Sequence, residues 1–100
     1  MSRLTDEIRF TKELISKPSV TPKDFGAMNV VTKYLKKLGF KCKIMSFQEK
    51  GTEKIINLYA KYGTKSPNLC FAGHTDVVPA GDLTSWSSNP FKAKIKKGYL

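Results

Sequence analysis

The chain reads as an α/β fold, with two amino-terminal helices packed on a mixed β-sheet. Three observations predict it. Apolar residues recur at helical spacing over 4–16 and again over 25–38. Shorter apolar runs bounded by turn residues follow at 40–47, 54–62 and 68–73. The last run is apolar without alternation at Leu69-Cys70-Phe71-Ala72, as expected of a central strand buried on both faces.

The first helix places Leu4, Ile8, Thr11, Leu14 and Ile15 on one face. Lys17-Pro18 ends it, because the residue before a proline is pushed out of the helical region. After Ser19-Val20, Thr21 is expected as the N-cap of the second helix, Pro22 as its first residue and Asp24 three beyond the cap. Phe25, Met28, Val31, Leu35 and Leu38 form its apolar stripe, and Gly39 suits a left-handed cap at its end. Phe40, Cys42 and Ile44 open the first strand, with Phe47 joining after a slip in register. Glu49-Lys50-Gly51-Thr52 reads as a loop, 54–62 as the second strand and Gly63-Thr64-Lys65-Ser66-Pro67 as a turn. The third strand is expected over 68–73. Beyond Pro79 the chain becomes loop-like, resumes extended structure over 91–95, and turns at Lys97-Gly98 toward a returning Tyr99-Leu100. Two helices and an unfinished hairpin for one sheet point to a piece of a larger domain.

One hundred residues allow one small domain. The opening Met1-Ser2-Arg3-Leu4 lacks the basic-then-apolar build of a secretory leader, and no apolar run is long enough to span a membrane. A cytoplasmic location is therefore expected. Cys42 and Cys70 make no disulfide framework and no CxxC pair, and each is expected as a small buried hydrophobe. The net charge of +10 suggests an acidic partner, but Arg3 and Arg9 are the only arginines and the lysines are scattered without interleaved aromatics. Nucleic-acid binding is not expected; Lys92, Lys94, Lys96 and Lys97 read as exposed positions that blunt a sheet edge.

The chemistry gathers at Phe71-Ala72-Gly73-His74-Thr75-Asp76-Val77-Val78-Pro79, which contains the only histidine. Residues i and i+2 of an extended chain point to the same side, so His74 and Asp76 project together. A metal-bound imidazole usually donates its other ring N–H to a carboxylate or carbonyl, and Asp76 is placed to accept it. Gly73 removes a side chain beside the pair, and Pro79 stiffens the exit. Spacing alone also suits an ordinary hydrogen-bonded pair. Ser85, Ser87 and Ser88 lack the strand–turn–helix setting of a nucleophile, and Gly73 and Gly81 match no phosphate loop.

The longer string from Phe71 through Ala80-Gly81-Asp82, with Trp86 and Pro90-Phe91 after it, resembles the metal-binding segment of the M20 family of zinc-dependent amidohydrolases and peptidases. Ile15-Ser16-Lys17-Pro18-Ser19-Val20-Thr21-Pro22 and Leu38-Gly39-Phe40 extend the resemblance over 4–100. The continuation after Pro79 favours the desuccinylase branch over enzymes like acetylornithine deacetylase. The resemblance implies that residues 1–100 are the amino-terminal part of a catalytic domain with a zinc-peptidase-like fold, the lid and dimerisation domain lying outside them. It implies that His74 is a zinc ligand and Asp76 the catalytic aspartate that orients it. It further implies two zinc ions per active site, for which cobalt can substitute. The implied substrate is N-succinyl-LL-2,6-diaminopimelate, cleaved to succinate and LL-diaminopimelate, in a protein that is a homodimer when intact. The family's bridging aspartate, two further acidic ligands, distal histidine and glutamate base have no match here; neither Glu49 nor Glu53 has the right context. The isolated chain is thus expected to be inactive and not to dimerise as the intact enzyme does. The alternatives are a related deacylase or peptidase, or a basic remnant or binding module without catalysis.

Overall fold

In the computed structural model, which describes residues 4–100, the elements are helix α1 (Asp6–Ile15), helix α2 (Ala27–Lys37) and strands β1 (Lys41–Phe47) and β2 (Ile55–Lys61), with a 3-10 turn at Leu83–Ser85. The opening Met1-Ser2-Arg3, read above as the start of a chain without a secretory leader, lies outside the described residues. No described helix is long and apolar enough to cross a membrane.

Thr5 caps α1, its hydroxyl accepting from the Ile8 N–H at 3.4 Å, and Asp6 and Glu7 place negative charge in the first turn, where the helix dipole favours it. The helix stops at Ile15, before Lys17-Pro18, as the sequence dictates. It leans on α2 through the Phe10 and Tyr34 rings, whose centroids are 4.6 Å apart.

α2 begins five residues later than expected. Phe25 and Gly26 take left-handed backbone, with φ of 50° and 87°, and two such residues cannot lie inside a right-handed helix. Asp24, not Thr21, closes the helix start: its carboxylate accepts from the N–H groups of Gly26 (3.1 Å) and Met28 (3.2 Å). Phe25 thereby leaves the stripe and is exposed, while Ala27 and Val30 are buried. The other end follows the sequence. Gly39 adopts φ 96°, its N–H bonds the Lys36 carbonyl, and the Phe40 N–H reaches back to the Leu35 carbonyl at 3.0 Å. This paired return is the Schellman arrangement. It brings Phe40 against Tyr62, ring centroids 5.4 Å apart.

β1 and β2 form an antiparallel hairpin that runs unbroken from Lys41 opposite Lys61 to Phe47 opposite Ile55. No register slip precedes Phe47. α2 packs across both strands, and Cys42, Ile56, Leu58 and Ala60 are the half-buried members of one sheet face. Cys42 is thus only partly covered, and Cys70 is exposed, so neither is a buried hydrophobe.

The mixed sheet is the main correction. The described sheet has two antiparallel strands only, and 68–73 joins no ladder. Leu69 is 79% and Phe71 89% exposed. A strand apolar on both faces requires neighbours at both edges and a layer over each face; the described residues supply neither, so the segment is extended but unpaired. It is attached downstream, at 75–77, where Val77 forms one parallel bridge with Val20. Near the end, Lys97 and Gly98 make the expected turn with φ of 52° and 80°, and Lys96 and Tyr99 exchange both backbone hydrogen bonds across it.

Candidate metal centre

His74 and Asp76 sit on an extended segment fastened to the α1–α2 connection, not at the end of a paired strand. Three bonds make the fastening. The Ser19 hydroxyl donates to the Thr75 carbonyl at 2.8 Å, the Val77 N–H donates to the Ser19 carbonyl at 3.0 Å, and the Thr21 hydroxyl donates to Asp76 Oδ2 at 2.5 Å. Ser19 is 3% exposed and anchors the set inside the molecule. Ser19 and Thr21 flank Val20, whose bridge to Val77 lays this connection alongside 75–77, and both hydroxyls reach that neighbouring chain.

Across the site, His74 Nδ1 lies 2.9 Å from Asp76 Oδ1 and 3.0 Å from the Asp76 backbone carbonyl. Both partners are acceptors, so Nδ1 carries the proton. The Nε2 lone pair of the neutral ring is then free, and the His74 side chain is 82% exposed. The Thr21 hydroxyl first, and the His74 ring second, hold the Asp76 carboxyl below the usual carboxylate range. A cleft of about 160 Å³ opens over the pair, bounded in part by Thr21, Ile56, Gly73, His74 and Asp76.

The donor chemistry suits one ligand of a zinc ion: an imidazole held at Nδ1 by Asp76, with Nε2 the nitrogen left to bind. The set is not complete among the described residues, where no three of His, Cys, Asp and Glu gather. Sequence reading located His74 and Asp76 because their relation is local. It missed Ser19, and it assigned Thr21 to a helix cap that Asp24 provides; the signal was the polar–apolar–polar triplet Ser19-Val20-Thr21, which reads equally as a short extended face.

No family model matches the chain. Among curated proteins it is 55% identical over all 100 residues to succinyl-diaminopimelate desuccinylase of Phenylobacterium zucineum, covering 25% of that protein. It is 54% identical over 95 residues to the Rhodospirillum centenum protein of the same name, again 25% of its length, and 53% identical over 95 residues to that of Wolbachia pipientis, 23% of its length. The chain thus spans about a quarter of the length of the relatives it matches. Over its whole length, this chain resembles an amino-terminal segment of the succinyl-diaminopimelate desuccinylases.

Proposed function

We propose that the chain is the amino-terminal part of the catalytic domain of a zinc-dependent amide hydrolase with a zinc-peptidase-like fold. The substrate would be N-succinyl-LL-2,6-diaminopimelate, cleaved to succinate and LL-diaminopimelate in diaminopimelate and lysine biosynthesis in the cytoplasm. The observation that carries the reading is the His74–Asp76 pair with Nε2 left free, set in a chain 55% identical to a protein of that name. In this reading His74 is one ligand of a two-zinc site that also accepts cobalt, and Asp76 is the carboxylate that holds it. A metal ion there supplies charge stabilisation for the amide carbonyl and activates water. The chain's own part is to present one imidazole nitrogen in one tautomer and one orientation. The remaining ligands, the general base and the homodimer contacts belong to the rest of such an enzyme.

A segment exchange tests this. The corresponding quarter of the Phenylobacterium zucineum protein is replaced by this chain, and hydrolysis of succinyl-diaminopimelate is followed with zinc present. The hybrid is expected to turn over substrate, and His74→Ala within it to lose more than the roughly 10–100-fold in activity that removing a partner behind a metal ligand costs. A folded hybrid without activity, beside an active parent, overturns the proposal. The 100-residue chain alone is expected to show no turnover with added zinc.

A further inference from the structure

The two oxygens of Asp76 are divided between two donors from distant parts of the chain. Oδ1 takes the His74 Nδ1–H at 2.9 Å, and Oδ2 takes the Thr21 hydroxyl at 2.5 Å across 55 residues of sequence. The Asp76 side chain is 54% exposed, so burial does not hold it. An exposed aspartate bound at one oxygen exchanges rotamers and shares its other oxygen with water. A donor at each end fixes the carboxylate plane and its direction together.

Thr21 is well suited to be the second donor. Its branched Cβ limits χ1. Its backbone is pinned on one side by the Val20–Val77 bridge and the buried Ser19, and on the other by Pro22, whose ring fixes its own φ. The hydroxyl does no work at the start of α2, which Asp24 caps.

We infer that Thr21 is a positioning residue for the metal centre: its hydroxyl holds Asp76 in the orientation that keeps the His74 proton on Nδ1 and Nε2 open to a metal. This rests on the reading of His74 and Asp76 given above. The Asp76 carbonyl at 3.0 Å also accepts from Nδ1, so loss of Thr21 weakens the preference without abolishing it. The role is separable from a packing role because threonine and valine have nearly the same shape.

His74 is the only histidine, so labelling histidine with ¹⁵N reports a single imidazole. Spectra are recorded at alkaline pH for the wild type, Thr21→Val and Thr21→Ser. Three-bond couplings to the Asp76 carboxyl carbon report its χ1, and amide exchange at Val77 reports the bridge. Expected are the Nδ1–H form with a single Asp76 rotamer in the wild type, a tautomer mixture with an averaged rotamer in Thr21→Val, and restoration in Thr21→Ser, with Val77 protected throughout. A wild-type ring in the Nε2–H form removes the reading of the site itself. A wild-type Nδ1–H form left unchanged by Thr21→Val removes the role of Thr21 alone. In the hybrid enzyme, Thr21→Val is expected to lower kcat about tenfold with KM retained, the lower end of what partners behind a metal ligand contribute, and Thr21→Ser to recover it. Equal activity of Thr21→Val and wild type overturns the inference whether or not the isolated variants fold.

Discussion

Hydroxyl groups set two carboxylates of this molecule, Asp76 and Asp82. Asp82 shows the effect away from the candidate site. Its Oδ1 accepts from the Thr84 hydroxyl at 2.7 Å and the Thr84 N–H at 2.9 Å, and these bonds, the hydroxyl first, hold its carboxyl below the usual range. A carboxyl depressed on folding contributes stability above the unfolded aspartate value and loses it as pH falls through the folded value. In a ¹³C titration, Asp82 is therefore expected to titrate below an ordinary aspartate, and Thr84→Val to move its midpoint up, part of the way, since the backbone N–H remains. A midpoint unmoved by Thr84→Val removes the hydroxyl as the cause. Ser19 is the buried counterpart. Ser19→Ala leaves the Thr75 carbonyl without its donor and is expected to cost about 1 kcal/mol in urea unfolding. At this scale the sequence is legible where geometry is local. His74 and Asp76 meet because i and i+2 share a side in any extended chain. Thr21 and Ser19 were not legible as site residues, because their partners lie 55 and 56 residues away and a hydroxyl before Pro22 fits a helix cap equally well.

The elements divide along the same line. α1, the end of α2, β1 and β2 follow from residues that contain their own instructions: a cap, a proline stop, a glycine at the left-handed position, a hairpin whose strands pair with each other. The start of α2 moved because a nearer carboxylate, Asp24, outcompeted the Thr21 hydroxyl for the helix N–H groups. The third strand failed because a two-faced apolar run specifies burial without supplying what buries it. The Gly39 cap gives the sharpest test at this scale. Its φ of 96° disfavours any side chain, and a Cβ there would stand 3.2 Å from the Tyr62 ring. Gly39→Ala is expected to lower stability by about 1–2 kcal/mol, the left-handed penalty, with the steric contact adding to it. Urea unfolding with an unchanged slope measures it, and a loss below a few tenths of a kcal/mol would show that the cap is not formed in solution.

At the scale of the whole molecule, surface and charge oppose each other. The chain extends 45 × 44 × 19 Å with a radius of gyration of 16.2 Å, against about 13 Å for a compact domain of its length. Its accessible surface is 8805 Å², where a compact protein of 11.2 kDa exposes about 5,700 Å². The excess carries Leu69, Phe71, Val78, Leu83 and Tyr99, all exposed. Apolar surface on this scale drives association. The net charge of +10 works against it, because like-charged copies repel. Salt shortens that repulsion, from a Debye length of about 30 Å at 0.01 M to about 8 Å at 0.15 M, and leaves the apolar attraction in place. The chain is therefore expected to bind an apolar dye such as ANS and to sediment as a monomer at low salt, with its weight-average mass rising as salt is added. Exchange of one monovalent anion for another at equal ionic strength should give the same rise, since anions are the counterions of this cationic chain and screening, not specific binding, is the cause. Phe71→Ser with Leu69→Ser should reduce both dye binding and the salt-dependent rise while leaving the β1–β2 amides protected, because neither residue joins the ladder. A monomer indifferent to salt and dye would mean that 68–73 is covered in solution by other residues of the chain.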